Sequence, residues 1–141
     1  MKKHILLIGS LLTALSMTAT RPTSVTPLIT TEWGQTSPYN DMCPEYATGK
    51  RCKTSCVATA MAQIMRYHKY PTNGVGSKSL KWSYGQLSAK LTADFGATTY
   101  RWEEMLDNYR GEYTQAQAEA VATIMYHCGI AADAEYTPDS G

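Results

Sequence analysis

An α+β domain of mainly helical character is what this 141-residue sequence predicts, and three observations carry the prediction. Apolar residues recur at helical intervals through residues 56–70, with Val57, Met61, Ile64, Met65 and His68 spaced three and four apart. A second helical stretch, residues 115–128, places Val121, Ile124, Met125 and Cys128 on one face. Between them Leu91, Ala93, Phe95 and Ala97 alternate with mostly polar neighbours, the period of a half-buried strand.

Taken in order, residues 1–19 read as a secretory signal peptide. Lys2 and Lys3 form a basic start, an apolar run follows from Ile5 to about Leu15, and Ser16 and Ala19 are small residues at cleavage positions. The run is too short to span a bilayer. No cysteine follows it closely enough to take a lipid, so no membrane association is expected and the destination is extracellular or periplasmic. Residues 20–31 are rich in Thr, Ser and Pro and read as an extended leader. The remainder, residues 32–141, is one domain or part of one, large enough for a single modest core. A net charge of +1 with the two signs interspersed offers no basic face for nucleic acid.

Within that domain, residues 32–55 carry Pro38, Asn40, Pro44 and Gly49 and read as turns. Alanines at 58, 60 and 62 favour the first helix and Pro71 ends it. Residues 72–89, rich in Gly, Ser and Lys, read as loop with short extended pieces before the strand at residues 91–97. A short helix is expected at residues 102–109, with Met105 and Leu106 turned inward. The last helix opens on Thr114 with Gln117 as a capping box and closes at Gly129.

The chemistry concentrates at Cys56. A cysteine in the first turn of a helix faces that helix's unsatisfied N–H groups, which favour the anionic, nucleophilic sulfur. Its own backbone N–H is one donor for a developing oxyanion, and a side-chain amide from an upstream loop is the usual second. Gln35, in the stretch Glu32-Trp33-Gly34-Gln35, is the candidate. Position alone favours a buried, inert cysteine over a catalytic one.

The run Ser55-Cys56-Val57-Ala58-Thr59-Ala60-Met61-Ala62-Gln63-Ile64-Met65-Arg66-Tyr67-His68-Lys69-Tyr70-Pro71 resembles the nucleophile helix of the streptopain family of papain-like cysteine peptidases. Upstream, Trp33-Gly34-Gln35-Thr36-Ser37-Pro38-Tyr39-Asn40 is similar to that family's oxyanion-hole segment. Downstream, Phe95-Gly96, Tyr100-Arg101-Trp102 and Met125-Tyr126-His127-Cys128-Gly129-Ile130 follow in the family's order. The resemblance implies a papain-like α+β fold, with this chain supplying the mainly helical, nucleophile-bearing lobe of an incomplete domain. It implies a secreted cysteine endopeptidase acting on protein substrates without a cofactor, with Cys56 as nucleophile and Gln35 as oxyanion-hole amide. It also makes Ser140, in a stretch that borders the family's substrate cleft, a lesser candidate for substrate contact. Two departures accompany it: Ser55 stands where the family usually has glycine, and the family's catalytic histidine lies on a C-terminal lobe beyond Gly141. The expected partner is therefore that histidine-bearing lobe, and the alternative is a non-catalytic secreted module that keeps the helical lobe for binding.

The other candidate residues read as structural. His68 lies twelve residues along the helix from Cys56, roughly 18 Å away at 1.5 Å per residue, beyond the reach of a general base. His127 reads as a boundary histidine bonded to backbone or solvent. With Cys56 kept reduced for catalysis, Cys128 reads as a core thiol, and Cys43 and Cys52 flank a turn-rich loop as a candidate disulfide. Closing so short a loop stabilises by about 2–3 kcal/mol in the chain-entropy picture. A metal site built from Cys52, Cys56 and His68 fits no common zinc spacing. Tyr67, Tyr70, Trp82, Tyr84, Tyr100, Trp102, Tyr109 and Tyr113 read as core-edge residues.

Overall fold

The computed structural model describes residues 24–139. The expectations for the signal peptide and for Ser140 lie outside the described residues. Two short strands, β1 (Glu45–Ala47) and β2 (Lys50–Arg51), precede the helix α1 (Cys56–His68). A longer hairpin follows, β3 (Ser77–Tyr84) and β4 (Leu87–Asp94), then a single 3-10 turn (Trp102–Glu104) and the helix α2 (Gln115–Ala131). Both strand pairs are antiparallel, and they form two separate two-stranded sheets.

Ser55 starts α1. Its extended backbone lets the hydroxyl oxygen accept from the Val57 and Ala58 N–H groups, at 3.1 and 3.3 Å. At the other end Lys69 takes the left-handed conformation, φ 48°, and Arg66 and His68 put basic side chains at the carbonyl end. The helical interval expected from sequence is right, but the face is not. The buried residues are Ala58, Thr59 and Ala62 with Met61 and Met65 beside them, whereas Val57 and Ile64 are about half exposed. Small side chains let α1 approach α2 closely, so alanines rather than the large aliphatics occupy the seam. Ile64 and Tyr67 instead border residues 25–29 of the leader, which the Thr31 hydroxyl fastens to Gln63 Oε1 at 3.0 Å.

Residues 72–89 correct the sequence reading, because they hold a full strand. Along β3 Lys78, Leu80 and Trp82 alternate inward against Ser79, Lys81 and Ser83, and their partners are Ala93, Leu91 and Ala89. Gly85 turns the hairpin at φ 58°, a conformation only glycine adopts freely. The strand expected at residues 91–97 ends at Asp94, and Phe95 and Gly96 lie in the bend that follows. The helix expected at residues 102–109 is only the 3-10 turn, although Met105 is buried and Leu106 packs on the core as anticipated.

The Thr114–Gln117 capping box forms at the start of α2. Gly129 does not close that helix; it lies inside it, which runs on to Ala131. Its role is close approach: a Cβ there would collide with the Tyr136 hydroxyl oxygen and come within 2.9 Å of Cζ. Two apolar clusters result. One joins α1 and α2 through Ala58, Ala62, Val121, Ile124, Met125 and Cys128, with Trp33, Tyr100 and Trp102. The other seats the β3–β4 hairpin on Tyr126, Ile130 and Tyr136, with Cys43 and Cys52 fully buried in it.

Candidate active site

The segment that delivers Cys56 is pinned from both sides. The Cys52 N–H donates to the Pro44 carbonyl at 2.9 Å, the Lys53 N–H to Thr137 at 3.0 Å, and the Thr54 N–H to Gln35 at 3.1 Å. Successive residues of an extended chain direct their groups to opposite sides. Residues 53 and 54 therefore carry Thr137 on one flank and Gln35 on the other. Asn40 Nδ2 adds a bond to the Cys52 carbonyl at 3.0 Å, and the Thr54 and Thr59 hydroxyls meet at 3.2 Å inside the core. Cys56 itself, the first residue of α1, is exposed.

The Gln35 amide lies against the Cys56 backbone. In the orientation that satisfies both neighbours, its nitrogen donates to the Thr54 carbonyl at 3.2 Å and its oxygen accepts from the Cys56 N–H at 3.3 Å. The fold thus brings together the two groups that sequence reasoning paired. Ser55 Oγ occupies the next two N–H groups of the helix, so the sulfur meets the helix through its dipole rather than through a direct bond. Sequence reasoning missed this cap, although serine directly before a helical run is the usual N-terminal signal. Ser55 is also 4% exposed, so its hydroxyl turns into the helix and not toward a reacting carbonyl.

The two described histidines have other partners. His68 sits in the last turn of α1, ring edge against Tyr67. His127 corrects the expectation of a boundary residue. It is buried, its Nδ1 is 2.9 Å from the Tyr100 hydroxyl, and the Phe95 ring stands edge-on to it. Burial depresses its pKa, and Asp94 opposes that only in part.

Three of the four thiols are structural in setting. Burial pushes Cys43 and Cys128 up to about 12 and raises Cys52 as well. Cys128 Sγ rests 3.6 Å from Met65 Sδ, the core position the helical pattern gave it. Cys43 and Cys52 are enclosed in the other cluster, beneath the hairpin, with their thiols unbridged in this structure. Among the described residues no three His, Cys, Asp or Glu side chains gather as a metal site, and no helix is long and apolar enough to cross a membrane. The aromatic residues divide: Trp82, Tyr100, Trp102 and Tyr109 are core, while Tyr67, Tyr70, Tyr84 and Tyr113 are exposed.

Comparison with known proteins follows the same residues. The peptidase C10 family matches residues 33–141. Streptopain from Streptococcus pyogenes is 33% identical over 122 residues, which cover 77% of this chain and 31% of that protein. The thiol protease/hemagglutinin PrtT from Porphyromonas gingivalis is 30% identical over 112 residues, covering 74% of this chain and 13% of that one. Among solved structures, active wild-type interpain A cysteine protease from Prevotella intermedia superposes with a TM-score of 0.74 at 47% identity, over 80% of this chain and 46% of that chain. A prointerpain A fragment from the same organism gives 0.76 at 46% identity, over 83% and 38%. The fold is the papain-like α+β fold of these proteases. The chain spans about a third or less of the length of the curated relatives it matches.

Proposed function

The chain belongs to the peptidase C10 family, and on that premise we propose that it carries the acylating side of a cysteine endopeptidase acting on protein substrates. The observation that supports this most is the exposed Cys56 thiol at the start of α1 beside the amide of Gln35. In this reading the Cys56 sulfur attacks a peptide carbonyl carbon and forms a tetrahedral intermediate. The oxyanion settles between the Cys56 N–H and the Gln35 amide nitrogen. The amide turns over to present that nitrogen, releasing its bonds to Thr54 and Cys56 as the anion arrives. Collapse breaks the C–N bond, the amine leaves with a proton, and water hydrolyses the thioester.

The proton comes from a histidine outside residues 24–139, because His68 and His127 are placed elsewhere. A second, histidine-bearing lobe is the partner this reading requires. Export to the extracellular or periplasmic space completes the proposal; its support is the basic-then-apolar pattern of residues 1–19. The position of the two described histidines also favours a second reading, a non-catalytic binding module.

Alkylation separates the two. Iodoacetamide is expected to modify Cys56 before Cys43, Cys52 and Cys128, and faster than a free-cysteine peptide, with negligible casein hydrolysis by the 141-residue chain alone. Labelling of Cys56 no faster than the free peptide would refute an activated nucleophile and leave the binding module. Casein cleavage by the chain alone, lost in Cys56→Ala, would overturn the histidine assignment.

A further inference from the structure

Gln35 guards one flank of the segment leading to Cys56, and residues 137–139 form the other. Lys53 fastens that second wall at two points. The Lys53 N–H donates to the Thr137 carbonyl at 3.0 Å, and its side-chain Nζ reaches the Asp139 carbonyl, also at 3.0 Å. Trp82 Nε1 holds the Tyr136 carbonyl at 2.8 Å just upstream, so residue 136 is fixed to the hairpin. The stretch from Thr137 onward leaves that anchor and lies against Lys53, three residues before the nucleophile. Beyond residue 137, the Lys53 ammonium is its described tether to residues 53–56. Asp139 is exposed, and without the ammonium its backbone has water as a substitute partner.

We infer that Lys53 is a positioning residue that holds residues 137–139 beside Cys56, so that an extended peptide meets an ordered wall opposite Gln35. The inference rests on the proposed role of Cys56. A lysine suits the task because its four-carbon stem spans the gap while its three donors accept more than one carbonyl geometry. Its charge strengthens a bond to a carbonyl oxygen relative to a neutral donor. The same charge near the thiol would assist anionic sulfur toward any electrophile. Positioning instead acts only on reagents that carry a peptide.

Two alkylating agents separate these effects, since both form one S–C bond and expel a halide. Iodoacetamide carries no peptide, whereas a tetra-alanyl chloromethyl ketone brings an extended peptide against that wall. On the full chain, the ratio of the chloromethyl ketone rate to the iodoacetamide rate at Cys56 is expected to fall at least threefold in Lys53→Met. It should return to the native value in Lys53→Arg, which restores a cation of similar reach. Loss of native thermal unfolding in Lys53→Met would put the decision on Lys53→Arg alone, where a lowered ratio refutes the tether. An unchanged ratio in a folded Lys53→Met with fast labelling overturns the inference and leaves the proposed function standing. Slow labelling of Cys56 by both agents in the native chain removes the proposed function and this inference together.

Discussion

Replacing Ser55 by alanine tests whether the nucleophile helix depends on its cap. The hydroxyl accepts from two N–H groups, at 3.1 and 3.3 Å, and one of them belongs to Ala58, which has no exposed surface. Alanine removes the acceptor and supplies none, so both donors lose their partner. Loss of a serine cap ordinarily costs about 1 kcal/mol, within a range of about 0.5–2. An unsatisfied buried donor adds to the cost, which puts Ser55→Ala near the upper end, about 2 kcal/mol. Ser55→Gly should cost only a few tenths of a kcal/mol, because glycine lets water reach the same N–H groups. For a domain of this size each kcal/mol is about 4 °C in the unfolding midpoint. Thermal unfolding followed by circular dichroism, with urea midpoints alongside, resolves it. Equal midpoints for the native chain and Ser55→Ala would show that the hydroxyl does not cap α1. A glycine variant as unstable as the alanine variant would show that the cost comes from lost side-chain packing instead.

Gly129→Ala should destabilise by about 1–3 kcal/mol despite alanine's better helix propensity, because the added Cβ meets the buried Tyr136 ring; urea midpoints check it, and a stabilised variant would contradict the close approach. Burial holds the folded pKa of His127 below the ordinary value. Its unfolded form therefore binds a proton first as pH falls, and stability should be level above about pH 7 and decline below about 6.5. His127→Gln should flatten that decline, read from unfolding midpoints between pH 7.5 and 5. Mild oxidation of the folded chain should join Cys43 to Cys52 and leave Cys56 free, by peptide mapping without reduction; a Cys52–Cys56 bridge would contradict both the pairing and the free nucleophile.

Much of the site is legible in the sequence, because its signals are local. A helix beginning at Cys56, the Thr114–Gln117 capping box and the apolar face of Val121, Ile124, Met125 and Cys128 are written in spacings of three and four residues. The hairpin at residues 77–94 was half-legible. Its inward row of Leu80 and Trp82 alternates correctly, but Lys78, Ser79, Lys81 and Ser83 give the stretch the composition of a loop. Pairing with β4 decides it, and a strand has no local bond that announces its partner. The same holds for residues 102–109, where Met105 packs inward without a helix to carry it.

What the sequence alone determined is the order of the pieces: an upstream glutamine, a cysteine at a helix start, a family-specific helix and a second capped helix. Only the tertiary structure decided which faces meet. The close contact of α1 with α2 selects its alanines for the seam and leaves Val57 and Ile64 outside. Tyr136 folding back onto Gly129 turns an apparent helix stop into a point of contact. Tyr100 reaching across to His127 converts a boundary histidine into a buried one. In each case the deciding atom comes from residues 7 to 63 positions away, and periodicity along one segment carries no information about the surface that segment will meet.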